Sequence, residues 1–160
     1  MTKFLVPTDF SETSKNAARF AAGMLNGRKD VKMLLYYVYD SFTAGSDGSP
    51  LAENDQDRLV ILNQALNNLK QELLNIAPIE IDIKTEAGSS LIDNIERLVR
   101  HEEIDLVVMG ITGAGPLEQV LMGSNTLKLV DKGICPVLIV PPDAQFREIR
   151  NVCLCSDFKE

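Results

Sequence analysis

The sequence predicts an α/β fold of the doubly wound kind, a five-stranded parallel sheet covered by helices on both faces and Rossmann-like in layout. Three observations predict it. Short apolar, β-branched runs alternate with longer stretches whose apolar residues recur every three or four positions, the signature of strand–helix–strand units. Runs such as Phe4-Leu-Val6 and Asp105-Leu-Val-Val-Met109 carry almost no polar alternation, as strands buried on both faces should. Glycines stand where a strand run stops and a helix run opens, at Gly110, Gly113 and Gly123.

Each element follows in order. Phe4–Val6 is a first strand ended by Pro7, and Ser11 can cap a helix whose Ala17, Ala18, Ala21, Met24 and Leu25 form one stripe, with Gly27 at its end. Val31 to Tyr39 is a second strand; Ser41 to Asn54, with Gly45, Gly48 and Pro50, reads as a long polar loop. Leu59, Leu62, Leu66, Leu69, Leu73 and Ile76 mark a longer helix that Pro78 stops. Ile79 to Ala87 alternates well enough for a strand nearer the sheet edge. Ser89 or Ser90 then caps a helix with Leu91, Ile92, Ile95, Leu98 and Val99 on one side. Asp105–Met109, a glycine loop, a helix over Ser124–Lys132 and a strand over Pro136–Val140 complete the unit. Five strands joined by four helices imply right-handed crossovers and a parallel sheet.

Composition fits a single small domain: 160 residues, 45% hydrophobic, suffice for a real core. The net charge of −7 disfavours nonspecific attraction to nucleic acid or an anionic membrane. No apolar run approaches the roughly 20 residues that span a bilayer, and no signal-peptide pattern opens the sequence, so a cytoplasmic location is the expectation. Cys135, Cys153 and Cys155 lack metal-site spacing and read as buried reduced thiols. His101, the one histidine, falls in the last turn of a helix and reads as structural.

Gly110-Ile-Thr-Gly113 is followed after nine residues by Gly123-Ser124. Glycine lets a backbone turn sharply and approach a ligand closely, and a helix beginning at Ser124 presents free amides to an anion. The bland reading is a tight turn without a ligand. This is not a P-loop, because no Lys-Ser or Lys-Thr follows the glycines.

The spacing Gly-x2-Gly-x9-Gly-Ser resembles the nucleotide-binding signature of the universal stress protein family, in its ATP-binding branch. Phe4-Leu-Val-Pro-Thr-Asp-Phe-Ser11 is similar to that family's first strand and acidic loop, and Cys135-Pro-Val-Leu-Ile-Val140 to its last strand; the likeness covers about residues 2–142. The resemblance implies a strand order 3-2-1-4-5, which puts the reversal between strands one and four, and doubly wound sheets bind ligands at such a point. By position it also implies that Pro7, Thr8 and Asp9 contact adenine and ribose, with Val38 beside the adenine. Met109, Gly110 and Gly113 then fall on the ribose and phosphate side, and Gly123, Ser124 and Asn125 on the phosphates. Asp9 read from the sequence alone is equally a cap or turn residue. The implied ligand is ATP or a related adenine nucleotide with Mg²⁺. One departure bears on it: the loop from Ala114 to Met122 contains Glu118 and no Lys or Arg, where members often place basic residues, so affinity is expected to be modest or to need the cation.

No triad, paired carboxylates or metal cluster can be read, which leaves no catalytic residue to name and slow hydrolysis as the most to expect. An adenylyl-transferring enzyme lacks visible residues for its chemistry. Asn151-Val-Cys-Leu-Cys-Ser-Asp-Phe-Lys-Glu160 aligns with Lys3-Phe-Leu-Val-Pro-Thr-Asp-Phe-Ser-Glu12, so that Asp157-Phe158 repeats Asp9-Phe10. The expected organisation is a domain over 1–142, then a linker and the start of a second, truncated repeat over 143–160, as in the first domain of a tandem protein. The expected function is a nucleotide-binding stress or signalling module; the alternative is an interaction protein of the same fold that works through dimerisation alone. A homodimer, or an internal pseudo-dimer with a second repeat, is expected through the last strand, whose edge no following helix covers.

Overall fold

The computed structural model describes residues 1–39, 52–111 and 122–154. Five strands and four helices alternate: β1 (Thr2–Pro7), α1 (Glu12–Leu25), β2 (Val31–Tyr39), α2 (Ala52–Ile76), β3 (Glu80–Ala87), α3 (Leu91–Glu102), β4 (Leu106–Gly110), α4 (Ser124–Lys132) and β5 (Val137–Val140). The sheet is wholly parallel, in the order β3-β2-β1-β4-β5. Fold class and strand order are those expected.

Alternation along the central strands sorts side chains into two cores. Phe4 and Val6 face α1 and α2, meeting Ala17, Ala21, Leu66 and Leu73; Leu5 faces α3 and α4, meeting Ile95, Leu98 and Leu129. Small residues on α1 let that helix lie close on the sheet, since each buried alanine adds only a methyl to the contact. Ser11 caps α1 by accepting from the Ser14 amide, and Ser90 caps α3 by accepting from the Asp93 amide.

Boundaries move in five places, the first being the strand expected over Phe4–Val6, which runs from Thr2 to Pro7. The strand expected from Pro136 begins at Val137, that from Asp105 begins at Leu106 and runs to Gly110, and that from Ile79 begins at Glu80. Asp105 acts as an anchor instead, accepting from the Lys3 amide at 2.8 Å through its carboxylate and donating its own amide to the Lys3 carbonyl at 3.0 Å. The helix α2 already begins at Ala52, so the expected loop over 41–54 ends sooner; residues 40–51 lie outside the described residues. Ala52, Glu53 and Gln56 favour helix by propensity without contributing to an apolar stripe.

Residues 151–154 form no strand, and Cys153 is exposed, which corrects the expectation of a buried thiol. A strand needs a neighbour to pair with, and none of the described elements supplies one. Cys135 is half-buried, and that burial pushes its thiol above the ordinary value. Cys155 lies outside the described residues. His101 occupies the last turn of α3, as expected.

Candidate functional site

The β1–β4 ladder pairs Phe4 with Leu106 and Leu5 with Val107 and goes no further, whereas β1 pairs with β2 as far as Pro7–Tyr36. Pro7 has no amide to donate. The next residue turns to the β2 side, where the Thr8 amide donates to the Tyr36 carbonyl at 2.9 Å. The carboxyl ends of β1 and β4 therefore border the point where strand order reverses, the place at which open α/β sheets take ligands.

On the β1 side the loop is braced from within. Thr8 is buried, its hydroxyl 3.0 Å from that of Ser14 and accepting from the Phe10 amide at 3.0 Å. Phe10 adopts φ +61, a left-handed conformation that costs a bulky residue energy and persists where surroundings impose it. Its ring packs on Tyr37 at 5.1 Å. Asp9 accepts from the Ser11 amide at 3.0 Å and the Ser11 hydroxyl at 2.5 Å, an Asx-type turn leading into α1. Partial burial acts to raise the Asp9 pKa, and hydrogen bonds from Ser11 and Ser14 outweigh it, leaving the carboxyl below its ordinary value. Asp9 is thus a turn residue and also a fixed negative charge at the reversal point.

On the β4 side Met109 and Gly110 are buried at the strand's end. The chain then pairs outward, the Ile111 amide donating to the Val140 carbonyl at 3.0 Å, and the Gly123 amide donates back to the Ile111 carbonyl at 2.6 Å. Gly123 is the N-cap of α4, with no side-chain cap and no acidic residue in the first turn. A helix start without a capping side chain or a carboxylate keeps its positive end available to an anion. Ser124 and Asn125 are exposed there. Gly113 lies outside the described residues, as does Glu118.

Val38 lies one residue from the end of β2, half-buried against the α3–α4 core. Pro7 thus ends β1 with Thr8 and Asp9 just beyond it, Met109 and Gly110 end β4, and Gly123, Ser124 and Asn125 open α4 beside β4. A groove of about 530 Å³ runs along the flank of α4 toward the start of α3, lined by Ser89, Ser90, Asn125, Lys128 and Lys132 among others. Asn125 alone of the expected residues borders it, and Lys132 is spent there on ion pairs with Asp93 and Glu96.

Two contributors escape a reading of the sequence. Thr126 is 3% exposed and donates its hydroxyl to the Gly110 carbonyl at 3.1 Å, tying the first turn of α4 to the end of β4. Ser14 braces Thr8 and also donates to the Ser11 carbonyl at 3.0 Å. Both are hydroxyls inside helices, where serine and threonine are common and usually mute; the only signal is their place in the first turn. Among the described residues no cluster of His, Cys, Asp or Glu suits a metal ion, and no helix is long and apolar enough to cross a membrane.

Comparison with known proteins agrees with the fold. A universal stress protein from Methanocaldococcus jannaschii, MJ0531, is 30% identical over 144 residues, covering 86% of this chain and 81% of its own length. The solved structure of MJ0577, from the same organism and described as a hypothetical protein whose biochemical function was assigned from structure, superposes with a TM-score of 0.74 at 26% identity, covering 88% of this chain and 95% of that one. A universal stress protein family member from Arabidopsis thaliana, solved with AMP bound, shares the fold at a TM-score of 0.59 and 19% identity, over 90% of this chain and 93% of its own. The family model of the universal stress proteins matches residues 1–141, and the chain belongs to that family.

Proposed function

We propose that the chain binds an adenine nucleotide, ATP or a close relative, across the carboxyl ends of β1 and β4, in the ATP-binding manner of its family. The observation that carries this reading is the start of α4, free of a side-chain cap and of acidic residues, and tied by Thr126 to the end of β4 at the reversal point. In this reading Pro7, Thr8, Asp9 and Val38 flank the base and ribose. Met109, Gly110 and Gly113 pass the ribose and first phosphate, and Gly123, Ser124 and Asn125 receive the phosphates. Mg²⁺ offsets the charge of Glu118 and the polyphosphate, carried by the nucleotide instead of a protein cage. The AMP bound to the Arabidopsis relative supports the ligand class.

The module acts by occupancy instead of turnover. A carboxylate held below its ordinary pKa is a weak general base at neutral pH, so Asp9 orients ribose or helps hold the cation. Mass spectrometry of small molecules released from the purified protein tests the proposal: an adenine nucleotide is expected. Protein that carries none and takes up none from ATP with Mg²⁺ contradicts it.

A second reading rests on β5. It is an edge strand, and Leu127 and Val130, three residues apart on α4, are exposed. An open edge beside apolar side chains favours a twofold homodimer that pairs β5 with its copy. An interaction protein of this kind would work with its crevice empty. The likeness of residues 151–160 to 3–12 supports a tandem organisation, in which a second unit satisfies the same edge internally.

A further inference from the structure

Beyond β5 the chain stays on the domain. Asn16, on α1, donates both hydrogens of its amide nitrogen, to the Pro141 carbonyl at 3.1 Å and to the Ala144 carbonyl at 3.0 Å. The Ala144 amide closes a turn on the Pro141 carbonyl at 3.2 Å, and Ala144 packs against the α1–α2 core. Phe146 stands edge-on to Phe20 with ring centres 5.5 Å apart at 87°. It also covers Gly23, where an added Cβ would come within 3.0 Å of Phe146 Cβ. Asn16, Phe20 and Gly23 lie four and three residues apart, a single stripe of α1. Each of the three contacts uses what its residue type provides: two donors, an aromatic edge and a missing side chain. The Pro141-Pro142 pair limits the freedom that docking has to remove.

The stripe also sets a direction. Helix α1 runs back from the carboxyl ends of the strands, so a chain passing from Asn16 to Gly23 descends toward their starting ends. Past Phe146 the apolar side chains are exposed: Ile149, Val152 and Leu154 at 60%, 90% and 91%. In the alignment with β1, Val152 and Leu154 stand where β1 has Phe4 and Val6, which are 8% and 0% exposed. The first strand is paired on both edges and buried on both faces. A sequence of that kind has apolar residues on both faces and finds a place only inside a sheet.

We propose that residues 141–146 are a docked strap along α1, and that residues 151–154, which it holds near the starting end of the sheet, are a first strand to be seated in a second unit of this same fold. This rests on the repeat reading of residues 151–160 and is independent of nucleotide binding. Through the strap the junction between units is fixed instead of freely tethered.

Hydrogen exchange read by mass spectrometry tests the strap in the unmodified chain. Residues 143–146, the part of the strap that carries backbone amides, should exchange on the order of tenfold or more slowly than 149–154. Phe146→Ala combined with Asn16→Asp, which keeps the shape of residue 16 but removes both donors, should bring the two segments to the same rate while β1, β2 and α1 keep theirs. Equal rates in the unmodified chain overturn the strap. For the strand, the chain is extended after Glu160 with its own residues 13–142, a unit deprived of its own first strand. The expected result is a second folded unit, seen as added helical circular dichroism, with residues 152–154 now protected, both lost with Val152→Asp and Leu154→Asp together. An appended unit that stays unfolded, or folds with 152–154 still exchanging freely, overturns the strand.

Discussion

Replacing Thr126 with valine separates the hydroxyl from everything else that this residue does. The side chain is 3% exposed, and valine has nearly its volume, so no cavity opens and the packing against the sheet remains. What disappears is the bond at 3.1 Å to the Gly110 carbonyl, which then loses a buried donor that water cannot readily replace. Leaving a buried polar group without its partner costs about 1–3 kcal/mol. In a domain of this length each kcal/mol moves the thermal midpoint by about 2–4 °C, so a central cost of about 2 kcal/mol predicts a fall of about 4–8 °C. Thr126→Ser keeps the bond and loses one methyl, at about 1 kcal/mol. The same bond sets α4 against the end of β4, and Thr126→Val should therefore weaken nucleotide binding more than Thr126→Ser does. Differential scanning calorimetry and a nucleotide titration on both variants check this. A valine variant as stable as the parent, with unchanged affinity, would refute the role given to Thr126.

Asp9→Ala should lower nucleotide affinity about tenfold or more, the scale of a lost hydrogen bond to a charged group, and alter turnover per bound nucleotide much less; single-turnover hydrolysis measured alongside binding separates the two. Loss of cleavage at full affinity would instead make Asp9 a base. The depressed pKa of Asp9 also fixes a pH dependence: the stability it lends is fully present above its ordinary value of 3.8 and is lost as pH falls through the lower folded value. The difference in unfolding midpoint between the parent and Asp9→Asn should hold from pH 7 to pH 5 and shrink below pH of about 4, as acid titrations followed by circular dichroism can show. Leu138→Pro removes a ladder donor from β5 and should shift a homodimer toward monomer or misfolding. A parent chain that sediments as a monomer at high micromolar concentration argues against pairing through that edge.

Much of the fold was legible because its strongest signals are local. Phe4-Leu-Val6 is apolar without alternation, which marks a strand buried on both faces, and Ser11 and Ser90 are caps at the places the sequence indicates. The start of α2 was not legible, because residues 52–58 bring helix formers but no apolar stripe, and periodicity is what reveals a helix. At the site, Asp9, Gly110 and Gly123 announce themselves through position and residue type. Thr126 does not, since its importance lies in a carbonyl sixteen residues earlier that only the folded chain brings near. Phe10 is hidden for a different reason: nothing in a phenylalanine foretells a left-handed backbone, which the bracing by Thr8 and Tyr37 imposes. The exposure of Cys153 likewise depends on partners absent from the described elements, not on the residue itself.

Isothermal titration of the unaltered chain with ATP and Mg²⁺, repeated on Gly113→Val and Gly123→Val, addresses nucleotide binding most directly. Under the proposed function, a valine at either position would place a branched side chain where the phosphates approach the backbone. The expected result is saturable binding by the parent and clearly weaker binding by both variants, each still folded by circular dichroism. Affinity unchanged in both variants, or no heat of binding in the parent, contradicts a nucleotide site at the ends of β1 and β4.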